Sequence, residues 1–202
     1  MLYDVTTLSV RPATPARALP RLEEALPKAS GKLLACWYTD IGTLNKIMII
    51  REYESDRQAA EAREATAKSD NPFGAAEFIV SATSDTYVLL PFLTAPQPGS
   101  HGPFFEVRDY LLKPGVLAGT IERWQKALPK RLERSSLLAC MYSISGEGPR
   151  WVHIWPYKSL DERHSVRSGA VKDGIWPPPG GGDTLATQQT DIFIPAAFSP
   201  IK

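Results

Sequence analysis

The chain repeats itself about 104 residues apart, and this internal repeat limits the folds open to it. Leu34-Ala35-Cys36 recurs as Leu138-Ala139-Cys140 at that spacing. Nearer the start of each half the spacing is 102, since Ala25-Leu26-Pro27-Lys28 recurs as Ala127-Leu128-Pro129-Lys130. One two-residue insertion reconciles the two spacings. The chain is therefore interpreted as a tandem duplication of one structural unit.

The duplication divides the chain into two repeats joined by a linker. The first repeat comprises residues 1–95 and the second comprises residues 104–202. Residues 96–103 between them are rich in proline and glycine, a composition that predicts a linker. A length of 202 residues suits this division into two small units.

Both halves show the same order of predicted strands and helices. The predicted strands are residues 2–10, 32–39, 46–53 and 78–90, then 104–112, 137–144, 151–157 and 187–194. Capping boxes, Ser55 with Gln58 and Ser159 with Glu162, open the second helix of each half. The order β-α-β-β-α-β is that of the ferredoxin-like unit, a four-stranded antiparallel sheet with both helices on one face. We therefore predict an α+β fold in which two tandem ferredoxin-like units pack sheet to sheet.

Composition excludes several classes of partner. The net charge is only +1 and the charges are mixed along the chain, which argues against a nucleic-acid-binding protein. No apolar stretch approaches the roughly 20 residues that span a bilayer, so no membrane association is expected. Cys36 and Cys140, both mid-strand, predict buried reduced thiols and a cytoplasmic location. No metal-ligand spacing or phosphate-binding motif is present, so no cofactor or metal is expected.

Short motifs in both halves resemble those of the NIPSNAP family. They are Gly42-Thr43-Leu44-Asn45 before a strand, Glu106-Val107-Arg108-Asp109-Tyr110 with Lys113-Pro114-Gly115, His153-Ile154-Trp155-Pro156-Tyr157, and Asp161-Glu162-Arg163 with Arg167. The resemblance covers nearly the whole chain, one family unit per half. It implies a dimeric α+β barrel, here built within one chain, as in small monooxygenases that act on polyketides or haem. It also implies an undefined activity and, because such barrels are used mainly in oligomers, a homo-oligomer.

Two central strands of the second half carry the candidate site. The two-residue period of a strand places Glu106, Arg108 and Tyr110 on one face of residues 104–112. His153 and Trp155 likewise share a face of the neighbouring strand, residues 151–157. The aliphatic faces are expected to meet the helices. The polar and aromatic faces are therefore predicted to lie inside the barrel.

Two functions remain open for this cluster. In the first, Glu106, Arg108, Tyr110, His153 and Trp155 line a pocket for a small aromatic or weakly acidic molecule. His153 would then be a candidate base and Arg108 the partner of an anion, as imidazole and guanidinium chemistry allow. In the second, Glu106 pairs with Arg108 or His153 only to satisfy buried charge. The protein would then be a non-catalytic oligomeric interaction module.

The first half lacks the same cluster. Thr6, Ile49 and Arg51 stand where the second half has Arg108, His153 and Trp155. Because Ile49 cannot exchange a proton and Thr6 cannot pair with an anion, one functional pocket per chain is predicted, in the second half. Asp4, the equivalent of Glu106, is expected to pair with Arg51 on the neighbouring strand.

Two further features receive structural interpretations. Arg163 and Arg167 are four residues apart on one helix face, so they are expected to pair with acids such as Asp161 or Glu162, or to lie on a solvated face, rather than to bind an anion. The proline- and glycine-rich stretch that begins at Trp176 is expected to be a plain surface loop rather than a lid.

Overall fold

The structure is a computed structural model that describes all residues, Met1–Lys202, and contains eight strands and four α-helices. The strands are β1 (Leu2–Val10), β2 (Lys32–Ile41), β3 (Lys46–Tyr53), β4 (Ile79–Leu89), β5 (Phe104–Leu112), β6 (Ala139–Ser143), β7 (Arg150–Tyr157) and β8 (Leu185–Pro195). The helices are α1 (Pro15–Ala25), α2 (Asp56–Ala67), α3 (Leu117–Leu132) and α4 (Leu160–Lys172). The predicted order β-α-β-β-α-β is confirmed in each half.

Local sequence signals account for most of these boundaries. The Ser55 hydroxyl accepts a hydrogen bond from the Gln58 N–H at 3.2 Å, and the Ser159 hydroxyl accepts one from the Glu162 N–H at 3.0 Å. Both serines therefore cap their helices as predicted, at equivalent positions. Helix α1 begins at Pro15 and continues through Pro20, because burial of its apolar face outweighs the one hydrogen bond that proline cannot donate.

The eight strands form one closed antiparallel barrel in the order β1-β3-β2-β8-β5-β7-β6-β4. Within each half the four strands make the expected ferredoxin-like sheet. The halves then join at two seams, β2 with β8 and β4 with β6. The two sheets thus face each other across the interior and are also hydrogen-bonded at their edges. This is the predicted dimeric α+β barrel, formed within a single chain.

The interior of the barrel is filled with apolar side chains from both halves. Trp37 of the first half stacks on Phe105 of the second, with ring centroids 4.2 Å apart. Val107 and Ile154, the aliphatic faces of β5 and β7, point into the same cluster. The prediction that the polar faces lie inside the barrel is therefore wrong, and so is a ligand site there.

The physical reason is the difference in access to water. An eight-stranded barrel is just wide enough to be filled by side chains and has no open side, so it favours groups without charge. The layer between sheet and helices opens to solvent at its edges, where long polar side chains can reach water. The polar faces of β5 and β7 consequently lie under α3 and α4.

The outer layers contain the two cysteines. Cys36 lies in the apolar layer under α1, and Cys140 lies in the layer under α3. Both are buried and free, as predicted, and burial raises the pKa of Cys36 to about 12. The thiols are thus protonated and enclosed at neutral pH. None of the four helices is long and apolar enough to cross a bilayer.

Candidate functional site

A cavity of about 190 Å³ lies between the sheet of the second half and helices α3 and α4, and we call it the second-half cavity. Its charged and aromatic lining residues are Arg108, Tyr110, Arg123, Trp124, Arg131, Trp151, His153, Arg167 and Trp176. Neither aspartate nor glutamate lines it. Arg167, which lines the cavity, has a side chain that is 29% exposed.

The structure brings the five predicted site residues together, although on the helix side of the sheet. Strands β5 and β7 are adjacent, and their register places Arg108 opposite His153 and Glu106 opposite Trp155. Arg108, Tyr110 and His153 line the second-half cavity. Glu106 and Trp155 do not line it, but they contact the residues that do. Three of the five predicted residues therefore form part of the cavity wall, and the other two contact these wall residues from behind.

Glu106 is the shared ion-pair partner of three arginines. Its carboxylate is fully buried and accepts hydrogen bonds from Arg108 Nη1 at 2.9 Å and Arg163 Nη2 at 2.6 Å. Arg167 Nη1 lies 3.4 Å from its other oxygen. The Glu106–Arg108 pair foreseen from sequence is thus present. A Glu106–His153 pair is not formed.

Helix α4 contributes to this network in a way that the sequence interpretation missed. Arg163 and Arg167 were expected to pair with acids of their own helix turn or to lie on a solvated face, and both expectations are wrong. Both reach down to Glu106 on β5 instead. A buried carboxylate without enough partners costs far more than an exposed one, so the tertiary pairing wins over the local one.

Arg108 is held in a defined orientation. Its Nε donates a hydrogen bond to the Tyr110 hydroxyl and its Nη1 donates to Glu106. Nη2 has no partner within the protein. Burial works against the charge of Arg108, but Tyr110 and Glu106 together raise its pKa. The guanidinium is therefore fully charged and offers one free edge to the second-half cavity.

His153 is a neutral side chain with one unpaired nitrogen. It is almost fully buried, and that burial together with Arg108, Arg167 and Arg131 holds its pKa well below the usual value. The indole N–H of Trp155 donates a hydrogen bond to Nδ1 at 2.6 Å. A neutral imidazole with an accepting Nδ1 carries its proton on Nε2. That buried Nε2–H has no partner in the protein.

Burial of neutral His153 should make the protein sensitive to mild acid. The unfolded state takes up a proton below a pKa of about 6.5, whereas folded His153 stays neutral, so stability falls as pH drops through that value. We expect this group to cost about 1.4 kcal/mol per pH unit below 6.5. Urea unfolding from pH 8 to pH 5 should show a shallower loss for His153→Gln than for the unchanged protein. An equal loss of stability with falling pH in the two proteins would contradict the assignment of His153 as a buried neutral group.

Arg131 of helix α3 is a site residue that the sequence analysis missed. It is buried, it lies over the ring of Trp155 at 4.3 Å, and its Nη1 donates to the Ser135 hydroxyl at 2.7 Å. It forms no ion pair, and its Nε has no partner. The signal was present, because Arg131 follows Trp124 by seven residues and so shares the buried face of α3.

The loop after α4 is part of the site. Trp176 packs edge-on against Trp124, with centroids 4.7 Å apart, and lies 5.9 Å from Trp155. Residues of this loop, from Trp176 to Thr184, form one wall of the second-half cavity. The expectation of a plain surface loop is therefore wrong. An apolar ring anchors the loop over the aromatic layer.

The first half pairs its charges differently from the prediction. Asp4 and Arg51 are opposite each other on β1 and β3, yet their side chains do not pair. Asp4 binds Arg63 of α2 at 2.7 Å. Arg51 instead donates to backbone carbonyls, including that of Gly31 at 2.8 Å, at the end of the turn that follows α1. These carbonyls belong to the segment between α1 and β2, so Arg51 is held there and not at Asp4.

The first half also has a concavity, an open groove of about 1280 Å³ between α1 and α2. Its lining mixes carboxylates with cations, including Asp4, Glu24, Arg51 and Arg63. No buried polar side-chain atom that lines it lacks a partner. The second-half cavity is therefore distinguished by its composition rather than by being the larger concavity.

Comparison with known proteins identifies the family. The NIPSNAP family model matches residues 3–94 and 105–200, one match in each half. A NipSnap homologue from Dictyostelium discoideum is 27% identical over 87% of this chain and 78% of its own length. NipSnap homologue 2 from Homo sapiens is 22% identical over the whole chain and 75% of its own length. The similarity thus extends over both repeats.

Solved structures share the architecture at low sequence identity. An anthrone oxidase-like protein superposes with a TM-score of 0.67 at 10% identity, covering 96% of this chain and 91% of the other. A candidate monooxygenase from Fusobacterium nucleatum superposes with a TM-score of 0.65 at 14% identity over the same shares of the two chains. These likenesses show the fold alone. Because the family model matches each repeat in turn, the chain belongs to the NIPSNAP family.

Proposed function

We propose that this NIPSNAP protein binds a small organic anion in the second-half cavity. One observation carries the proposal: the residues that line the cavity include arginines and a histidine but no carboxylate, and several of these residues have a buried N–H group without a partner. His153 Nε2 and Trp151 Nε1 are two of these donors. A buried donor without an acceptor costs about 1–3 kcal/mol, which an anionic ligand would remove on binding.

The charge of the site supports an anion rather than a neutral molecule. Four arginines line the second-half cavity, whereas Glu106, which does not line it, is shared by three of the protein's arginines. The buried charge of Arg131 has no counter-ion. A buried unpaired cation is costly, so a ligand that carries a negative charge gains from it.

The cavity residues favour binding over proton transfer. His153 was a candidate base from sequence, but its Nδ1 already accepts the Trp155 N–H and its Nε2 carries the proton. Burial raises the pKa of Tyr110, so its phenol is also protonated at neutral pH. We therefore assign His153 as a hydrogen-bond donor to the ligand and Arg108 as the partner of its charge.

Replacing Arg108 by Ala should weaken binding of benzoate or cyclohexanecarboxylate by about 10- to 150-fold. The range corresponds to the 1.5–3 kcal/mol of a hydrogen bond to a charged group. Isothermal titration calorimetry measures the dissociation constant, and circular dichroism confirms that the variant folds. Two arginines, Arg163 and Arg167, remain to neutralise Glu106, so the substitution leaves the core paired.

The matched control is Thr6→Ala at the equivalent position of the first half. Thr6 shares a hydrogen bond with Ser84 at 2.9 Å and lines the first-half groove rather than the second-half cavity. Its replacement should leave the dissociation constant unchanged within twofold, about 0.4 kcal/mol. Equal losses from both substitutions, or no carboxylate binding at all, would overturn the proposed function.

A second candidate function is a non-catalytic, self-associating interaction module in a reducing compartment. The filled barrel interior supports it, because apolar side chains occupy the space enclosed by the strands. We expect sedimentation velocity at micromolar concentration to give at least twice the chain mass of 22.3 kDa. A single species at the chain mass would remove this alternative. The anion-binding proposal does not depend on the result.

A further inference from the structure

We infer that the ligand of the second-half cavity is a planar, single-ring aromatic carboxylate. This inference rests on the proposed function and narrows it from an organic anion to one chemical class. It follows from three properties of the cavity. These are its size, the aromatic rings that enclose it, and the N–H donors of its lining residues that have no hydrogen-bond partner.

The size limits the ligand to one ring. The cavity measures about 190 Å³. An apolar protein cavity of about 150 Å³ is known to hold benzene, so the additional space suits a single acidic substituent. A fused system of two or three rings would have to displace Trp176 and the loop that follows it. The cavity as it stands accepts benzoate and its close analogues.

The walls favour a flat ring. Trp124 lies at the centre of the layer, with ring centroids 5.2 Å from Trp151, 4.7 Å from His153 and 4.7 Å from Trp176. All three contacts are edge-to-face, which leaves both ring edges and ring faces available around the cavity. Such a lining strengthens the binding of an aromatic ligand by about 2- to 10-fold for each ring contact, beyond the effect of its buried area. A saturated ring of similar volume gains only the favourable free energy of burying its apolar surface.

The donors favour a carboxylate as the acidic group. Four buried donors among the lining residues have no partner, and they are His153 Nε2, Trp151 Nε1, Arg123 Nε and Arg131 Nε. A carboxylate offers about four acceptor positions, and its planar shape matches the guanidinium fork. Arg108 adds the free edge described above. A neutral amide of the same shape donates as well as accepts, so it would leave donors unpaired and place its own against them.

The test compares four probes of related shape by isothermal titration calorimetry: benzoate, cyclohexanecarboxylate, benzamide and anthracene-9-carboxylate. We expect benzoate to bind most tightly and cyclohexanecarboxylate about 2- to 10-fold more weakly, which corresponds to one aromatic contact. Benzamide should lose at least about tenfold, the effect of losing a charged hydrogen bond. Anthracene-9-carboxylate should not bind. Trp176→Leu should weaken benzoate and leave cyclohexanecarboxylate within twofold.

The outcomes separate this inference from the proposed function. If cyclohexanecarboxylate binds as tightly as benzoate, and Arg108→Ala weakens both, anion binding stands and the aromatic assignment fails. Tight binding of anthracene-9-carboxylate with the same Arg108 dependence would refute the single-ring limit alone. If benzamide equals benzoate, or no probe responds to Arg108→Ala, the proposed function fails and the inference falls with it.

Discussion

Replacing Glu106 by Gln is expected to lower the free energy of unfolding by about 3–5 kcal/mol, the cost of leaving buried charges without their partner. The carboxylate is fully buried and is the shared partner of Arg108, Arg163 and Arg167. Glutamine keeps the shape of glutamate but removes the charge, so three guanidinium groups would repel one another across the sheet–helix layer. Urea or thermal unfolding measures the loss.

Two comparisons make the Glu106 result specific. Glu122 is an exposed acid on helix α3, and Glu122→Gln should change stability by no more than about 0.5 kcal/mol. Asp4 holds the equivalent place in the first half but pairs with only one arginine, Arg63, so Asp4→Asn should cost less than Glu106→Gln. If Glu106→Gln cost no more than Glu122→Gln, the carboxylate would not be the charge centre of the second half.

Replacing Gly42 by Ala is expected to cost about 3–5 kcal/mol through backbone strain and the loss of buried hydrogen bonds. Gly42 has φ +113°, and a methyl group there would lie 2.0 Å from Asp191 Oδ1 on the other half of the chain. Asp191 cannot yield freely, because the Thr43 N–H binds that oxygen at 2.7 Å and Lys46 pairs with the carboxylate at 3.3 Å. The substitution therefore strains a seam that joins the two halves.

Gly115→Ala is a control that introduces backbone strain without a steric clash. Gly115 also has a positive φ, +80°, but an added methyl group would meet nothing within 4 Å. It should cost only the conformational part, about 1–2 kcal/mol. The double substitution of Gly42→Ala with Asp191→Ala should cost less than the sum of the two single ones, since the collision disappears. Equal losses at Gly42 and Gly115 would show that the seam tolerates the methyl group.

The same arrangement recurs at the other seam. Gly146 is the repeat equivalent of Gly42, has φ +71°, and would place a methyl group 2.0 Å from Asp85 Oδ1. In each case a glycine after a β-strand of one half lies against an aspartate of the other half. The duplication therefore preserved both contacts that close the barrel, although the two candidate pockets diverged.

Local patterns predicted the elements of this fold well. Strand β3 and strand β5 have the predicted bounds, and the hydroxyl of each capping serine binds where the capping box requires it. These features depend on neighbouring residues alone. The repeat then supplied the architecture, because two copies of one βαββαβ order admit few arrangements. The pairing of β2 with β8 and of β4 with β6 was not predicted, because the sequence of one strand does not show which strand its edge pairs with.

The sidedness of the sheet could not be predicted. The two-residue period separated Val107 and Ile154 from Arg108 and His153 correctly, but both faces contain large apolar groups. Which face turns inward depends on closure of the barrel through β2–β8 and β4–β6, a non-local event. The polar residues were therefore grouped correctly and placed on the wrong side.

The rest of the site depends on contacts between distant segments. Arg131 and Trp176 belong to helix α3 and the loop after α4, and both meet Trp155 of strand β7. Neither segment contains a sequence pattern that identifies Trp155 as its contact. Arg163 and Arg167 were expected to meet acids of their own helix or solvent, since the i to i+4 rule is local, whereas the buried Glu106 attracts them more strongly.

The most direct measurement is a crystal structure of the protein with 4-bromobenzoate, located by the anomalous signal of bromine. The proposed site predicts one bromine per chain in the second-half cavity, among Trp124, Trp151 and Trp176, with the carboxylate at Arg108 and His153 Nε2. Bromine inside the barrel, where Trp37 stacks on Phe105, or only in the first-half groove, would contradict the claim.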